Sequence, residues 1–143
     1  AKDRDILYES NINPIASFVT EGIVIFGQKT LQQTQSALDR INVRRLLIFV
    51  KRLVSRISNS LIFDQNLPAT WNRFKSQVIP ELESIKTGLG LSDFKVLLDE
   101  TTTTPDLVDR NIMYAKIFLK PARAIEFIAV DFVITNTGAS FDD

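Results

Sequence analysis

The sequence predicts an α+β domain in which two amphipathic helices pack on one face of a mainly antiparallel sheet. Two observations lead to this prediction. Helical periodicity is confined to the middle of the chain, between residues 40 and 88, whereas most strand-like segments cluster after residue 91. Separate runs of helices and strands are typical of α+β folds, because a parallel sheet would need the two kinds of element to alternate.

The composition is that of an ordinary globular domain, without the side chains that most enzymes use. The chain has 143 residues, which is enough to bury a core within one domain. It has no cysteine and no histidine, so disulfides, thiolate chemistry and the commonest general base and metal ligand are missing. No apolar run is long enough to span a bilayer. We therefore expect no catalytic residue, cofactor, metal site or membrane contact.

Residues 1–21 are predicted to form an extended N-terminal segment, because Asn13-Pro14 disfavours helix and the apolar residues are scattered. A buried strand is expected from Gly22 to Gly27, where glycines bracket a short β-branched run. Residues 28–39 then form a polar connection that has room for one helical turn.

The stretch from Arg40 to Leu61 is the longest periodic segment and predicts an amphipathic helix, with Asn42 as its N-cap. Apolar residues recur at three- and four-residue steps, which places them on one face. They are Val43, Leu46, Leu47, Val50, Leu53, Val54, Ile57 and Leu61. The opposite side carries basic residues around Ile48, namely Arg44, Arg45, Lys51, Arg52 and Arg56.

A second helix is predicted between the break at 64–68 and Gly88, which is a natural stop. Asn66 or the residues just after it should cap its start, with Pro68 in the first turn. Pro80 lies opposite the apolar stripe and should bend the helix around the core. The stripe consists of Trp71, Phe74, Val78, Leu82 and Ile85.

Three further strands are predicted over 92–99, 112–119 and 124–135, with a loop at 100–111 and a turn at 120–123. The turn should make the last two strands a hairpin. The last strand is apolar on both faces, which predicts a central or doubly covered strand. The domain is thus expected to span 22–135, followed by a C-terminal arm over 136–143.

Carboxylate pairs are the remaining candidates for catalysis. They are Asp99 with Glu100, Glu81 with Glu83, and Asp106 with Asp109. None has the sequence context of a glycosidase or a metal site, and a solvated loop or helix face accounts for each. Glu126 and Asp131 lie within the last strand, where a sheet edge or a basic partner explains them better than catalysis. An enzyme is therefore not expected.

The basic side of the first helix has three interpretations: a solvated face, a docking surface for an acidic partner protein, or a nucleic-acid-binding surface. Nucleic acid is disfavoured, because we expect no aromatic residue to be interleaved with the bases and the net charge is zero. A nucleic-acid-binding module that uses the helix over 42–60 remains the alternative function. The two ends of the chain are further candidates for contacts with other molecules, because an exposed strand edge with flexible arms suits strand exchange between copies. Frayed termini are the other interpretation of the ends.

Four stretches, in order, resemble the C-terminal domain of the tail sheath proteins of contractile-tailed bacteriophages. They are NP at 13–14, GIVIFGQKTL at 22–31, INVRRLL at 41–47 and KPARAIEFIAV at 120–130. The likeness covers nearly the whole chain. One departure lies at 26–30, where the family often carries Trp-Gly-Ala-Arg-Thr and this chain carries Phe-Gly-Gln-Lys-Thr. Family members are several times longer, and the missing initiating Met agrees with a C-terminal part of such a protein.

The resemblance implies a structural role in the tail of a virion, after assembly in the host cytoplasm. Subunits would exchange strands to form a helical sheath around the inner tail tube, and contraction would drive the tube through the host envelope. Baseplate and tail terminator proteins would be further partners. The residues expected to meet the tube or a neighbour are Arg44, Arg45, Lys51 and Arg52. The residues expected to pair strands between subunits are Glu126, Ile128, Val130, Phe132, Ile134 and Phe141.

Overall fold

The computed structural model describes residues 2–124 and 129, and it confirms the α+β class. A short 3₁₀ turn at Ala37–Asp39 leads into the longer helices. The helices and strands are, in chain order, α1 (Lys2–Glu9), β1 (Ile15–Phe18), β2 (Gly22–Ile25), α2 (Ile41–Asn59), α3 (Pro68–Thr87), β3 (Leu91–Leu97), α4 (Pro105–Asp109) and β4 (Lys116–Pro121).

The described strands form two separate two-stranded sheets, β1–β2 and β3–β4, and both are antiparallel. In the first sheet, Ile15 pairs with Ile25. In the second, Phe94 pairs with Leu119 and Lys95 with Phe118. Because side chains alternate along a strand, the β3–β4 sheet turns Phe94 and Leu119 to one face and Lys95 and Phe118 to the other.

One hydrophobic core unites α2, α3 and the β3–β4 sheet. Its buried members are Val50, Leu61, Trp71, Phe74, Val78, Leu82, Leu91 and Leu98. α3 lies directly against both β3 and α2, so its apolar stripe occupies the centre of this core. The predicted stripe of α3 is thus confirmed, and Pro80 lies inside the helix on the exposed side, as its position in the sequence indicated.

The predicted cap of α2 is wrong, whereas that of α3 is confirmed: its N-cap is Leu67, the residue just after Asn66, with Pro68 in the first turn. α2 begins after Arg40, whose extended backbone forms the N-cap without a side-chain hydrogen bond. Asn42 lies within the first turn instead, where its Nδ2 donates to the Ala122 carbonyl at 3.4 Å. α3 begins at Pro68, and Asn66 ties the start of this helix to the segment before β4. Its Oδ1 accepts from Trp71 Nε1 at 2.7 Å, and its Nδ2 donates to the Ile112 carbonyl at 3.0 Å.

The sequence predicted an extended N-terminal segment, but the structure shows that this segment is not extended throughout. Lys2–Glu9 form a helix with acidic residues in its first turn, where they favour the positive end of the helix dipole. Residues 15–18 form a strand that pairs with β2, so there are two early strands rather than one. β2 was expected to be buried, but its residues are exposed or only half-buried.

The segments after residue 99 also differ in part from the predictions. The loop at 100–111 contains α4, and its threonines are not simply solvated. Thr103 is buried, and its hydroxyl both donates to the Tyr114 carbonyl and accepts from the Tyr114 N–H, at 3.2 and 3.1 Å. The strand expected at 112–119 begins only at Lys116 and continues to Pro121, so the turn at 120–123 is shorter than predicted. The predicted strand at 124–135, its hairpin and the arm at 136–143 lie outside the described residues, and the domain boundaries stay predictions.

Replacement of Leu82 by alanine tests the central position of α3. Leu82 is fully buried, so Leu82→Ala should lower the free energy of unfolding by about 2–5 kcal/mol. Denaturant-induced unfolding followed by circular dichroism measures this change. Ile79→Ala removes an aliphatic side chain from the outer side of the same helix, and should change stability by less than about 0.5 kcal/mol. Equal effects of the two substitutions would contradict the described orientation of α3.

Candidate interaction surfaces

The outer face of α2 is exposed and basic. Val43 and Val50 are buried on the inner face, and helical geometry therefore turns the basic residues outward. Arg45, Lys51 and Arg52 are exposed, and they form no ion pair with any residue of the part that the structure describes. Unpaired cations on one face make a surface that attracts acidic groups on a partner, and salt weakens this attraction.

Arg44, which was predicted to belong to the same docking set, has a different environment. Its Nε donates to the Leu38 carbonyl at 2.9 Å, and its Nη2 donates to Gln32 Oε1 at 2.7 Å. The guanidinium therefore fastens the segment before α2 to the helix. The predicted set divides into one residue with an internal role and three residues that are available to a partner.

The sequence interpretation missed an aromatic residue among these bases. Phe49 and Ile48 are about half exposed and lie beside the basic residues, although no interleaved aromatic residue was recognised. The spacing from Arg45 through Phe49 to Arg52 was the available signal, because residues three and four apart are neighbours on a helix. The outer face of α2 is thus both basic and partly apolar.

A cleft of about 500 Å³ lies at the N-terminal half of α2. The lining comes from α2, from the segment between α3 and β3, and from the residue after β4, namely Asn42, Arg45, Leu46, Phe49, Gly88, Leu89, Gly90 and Ala122. Asn42 Oδ1 is buried and has no hydrogen-bond partner among the described residues, which is a costly state for an acceptor.

The β1–β2 sheet forms a second exposed surface. Ile15, Ile23 and Ile25 are exposed on it. Among the described residues, β1 and β2 pair only with each other, so each strand has one open edge. Cation–π contacts join α1 to this sheet and to the residue after it. The Arg4 guanidinium lies 5.1 Å from the Phe18 ring and 5.4 Å from the Phe26 ring, and these rings also contact each other.

The β3–β4 sheet also has open strand edges, because within residues 2–124 its two strands pair only with each other. Lys95 and Phe118 are exposed on its outer face. An open edge presents backbone N–H and C=O groups to which another strand can bind. The residues predicted to make such pairs all lie outside the described part of the chain, so their role stays a prediction. They are Glu126, Ile128, Val130, Phe132, Ile134 and Phe141.

The described carboxylates have structural environments. Hydrogen bonds from the Thr101 hydroxyl and the Thr101 backbone N–H lower the pKa of the Asp99 carboxyl. The same hydrogen bonds hold the turn after β3. Asp106 forms an ion pair with Arg110 one helical turn away, at 3.4 Å. Residues 2–124 contain no acidic cluster that could hold a metal ion. Nor does any described helix combine the length and hydrophobicity that crossing a bilayer requires.

The chain has close relatives among viral structural proteins. It is 42% identical over 138 residues to the tail sheath protein of Vibrio phage KVP40, which covers 96% of this chain and 21% of that protein. It is 38% identical over 140 residues to the tail sheath protein of Enterobacteria phage T4, which covers 98% of this chain and 21% of that protein. The tail sheath protein of Salmonella phage ViI is 34% identical over 141 residues, with 99% and 22% covered. The chain thus spans about a fifth of the length of these relatives.

Two further comparisons concern the fold and the family. A chain of the anti-feeding prophage baseplate, solved by cryo-electron microscopy, superimposes with a TM-score of 0.82 at 23% identity, covering 94% of this chain and 40% of that chain. This likeness shows that the two share a fold. The sequence model described as "Phage tail sheath C-terminal domain" matches residues 33–135, which include α2, α3 and the β3–β4 sheet. The chain therefore belongs to the phage tail sheath C-terminal domain family.

Proposed function

We propose that this chain is the C-terminal domain of a structural subunit of a contractile phage tail sheath, and not of an enzyme. The observation that carries the proposal is the match of residues 33–135 to the sheath domain family. Relatives that cover nearly the whole chain are named tail sheath proteins. The subunit polymerises into a helical sheath around the inner tail tube and contracts to drive the tube through the host envelope. Its place is the virion tail, after assembly in the host cytoplasm.

The outer face of α2 is the part of the domain that docks electrostatically. Lys51, Arg52 and Arg45 are exposed and unpaired in the described structure, and the chain as a whole is neutral. A tube or neighbouring subunit with acidic groups at its surface would be steered to this face. The nucleic-acid-binding alternative finds no support among the relatives, which are named for a structural role.

Strand exchange supplies the second kind of contact between subunits. Both described sheets consist of two strands and carry open edges. Main-chain hydrogen bonds along such an edge bind an added strand with little dependence on its side chains. The strand predicted at 124–135 and the arm at 136–143 are the segments that pair with a neighbouring subunit. Baseplate and tail terminator proteins bind the ends of the polymer.

Charge reversal at Lys51 and Arg52 tests the docking face. The double variant Lys51→Glu, Arg52→Glu should weaken sheath assembly around tubes about tenfold or more, because it places like charges opposite an acidic partner. Electron microscopy and sedimentation of the whole sheath protein, mixed with its tube protein, measure the assembly. Both side chains are exposed, so folding should be unaffected.

The matched control for this charge reversal is Lys2→Glu with Arg110→Glu. It makes the same change in net charge at exposed positions that lie outside α2 and outside both sheets. Assembly around tubes should persist in the control. Normal sheaths from the α2 variant, or equal losses from both variants, would contradict a specific docking role for α2.

Deletion of residues 136–143 tests strand exchange. The truncated protein should remain folded but fail to polymerise, because a swapped arm that is missing leaves an open edge unpaired. Circular dichroism reports the folding, and electron microscopy reports the polymers. Asp142→Asn with Asp143→Asn is the control, since it alters side chains in the same arm while it keeps the main chain. Polymers of normal length from the truncated protein would show that the arm is dispensable.

A further inference from the structure

Two complementary surface features lie at opposite ends of α2. The first is the cleft at its N-terminal half, lined by Asn42, Arg45, Phe49 and Leu89. The second is the turn between α2 and α3, which carries exposed apolar side chains. We call it the knob and define it by Ile62, Phe63 and Leu67.

The knob presents an aromatic ring to the exterior. Phe63 is 102% exposed, and its φ of +73° is unusual for a bulky residue. The neighbouring residues hold this conformation, because Leu61 is buried in the core and the Asp64 N–H donates to the Leu61 carbonyl at 3.1 Å. Arg73 Nη1 also binds Asp64 Oδ2 at 3.1 Å. The ring is thus displayed by an ordered turn, which lowers the entropic cost of burying it against a partner.

The cleft has space and apolar walls for an aromatic ring, and the knob carries such a ring. Its volume of about 500 Å³ is sufficient for an aromatic side chain, and Phe49 and Leu89 supply exposed apolar walls. Arg45 is exposed and forms no ion pair with the described residues. On the knob, Asp64 follows Phe63 directly, and its second carboxylate oxygen remains available to a guanidinium. The two surfaces therefore match in apolar character and charge.

The two features cannot meet within one copy. α2 rises about 1.5 Å per residue, so the knob lies on the order of 20 Å along the helix from the cleft. We propose that Phe63 of one copy inserts into the cleft of the next copy, between Phe49 and Leu89, with Asp64 beside Arg45. The partner is a second copy of this chain.

This contact is heterologous, because it joins two different surfaces. A heterologous contact leaves a free knob at one end of each pair and a free cleft at the other, and it propagates as an open helix when the rotation does not close a ring. One aromatic anchor buries far less than the roughly 1,200 Å² of a stable two-body interface. The contact thus acts within a polymer whose other contacts raise the effective concentration. The proposal rests on the sheath function proposed above.

Disulfide trapping tests the proposal on the whole sheath protein. The residues of this chain include no cysteine, so introduced pairs here are unambiguous once any cysteine elsewhere in the protein is replaced. Phe63 and Leu89 are 102% and 82% exposed, so Phe63→Cys and Leu89→Cys should leave folding intact. The two single variants are mixed, assembled into polymers and oxidised. We expect a cross-linked dimer from the mixture and at least tenfold less from either variant alone.

The control pairs Leu89→Cys with Val19→Cys, an equally exposed apolar position in the turn between β1 and β2. It should yield no dimer above the single-variant background. Polymers that form without a Phe63–Leu89 cross-link, or with an equal Val19–Leu89 cross-link, would overturn the knob contact and leave the sheath function standing. Failure of the unmodified sheath protein to form any polymer would contradict both.

Discussion

The structure depends on burial of the apolar stripe of α3. Trp71, Phe74, Val78 and Leu82 are buried, and this helix is the element that lies against both α2 and the β3–β4 sheet. The hydrogen bond from Trp71 Nε1 to Asn66 fixes the start of the helix, and Asn66 also holds the segment before β4. Because one face of each helix fills the core, the outer face of α2 is, apart from Arg44, available for contacts with other molecules.

The parts that sequence reasoning predicted correctly depend on local periodicity. The buried face of α2 and the stripe of α3 follow from residues three and four apart, and β3 follows from alternation. The basic outer face of α2 followed from the same geometry. Local periodicity also placed Pro80 on the exposed side of α3, where the loss of one backbone hydrogen bond does not disturb the core.

The parts that sequence reasoning missed depend on contacts between distant residues. α2 starts after Arg40, because Arg40 bridges to Lys29 and the Ile41 N–H donates to the Gln28 carbonyl. A cap at Asn42 could not be distinguished from this start by propensity alone. α1 lacks a buried residue, and its attachment rests partly on Lys29, whose Nζ lies 3.9 Å from the Tyr8 ring and donates to the Tyr8 carbonyl. Contacts across such separations leave no periodic signal in the sequence.

The distribution of exposed apolar and charged groups is itself an argument about assembly. A closed dimer uses one self-complementary patch, which would gather such groups in a single place. Here they lie apart: on the β1–β2 sheet around Ile23, on the outer face of α2 around Arg52, in the cleft at Leu89 and on the turn at Phe63. Subunits of an open helical polymer need several different surfaces, each matched to another one on a neighbour. The dispersed pattern of this chain therefore agrees with the proposed sheath subunit, which would bind several neighbours at once.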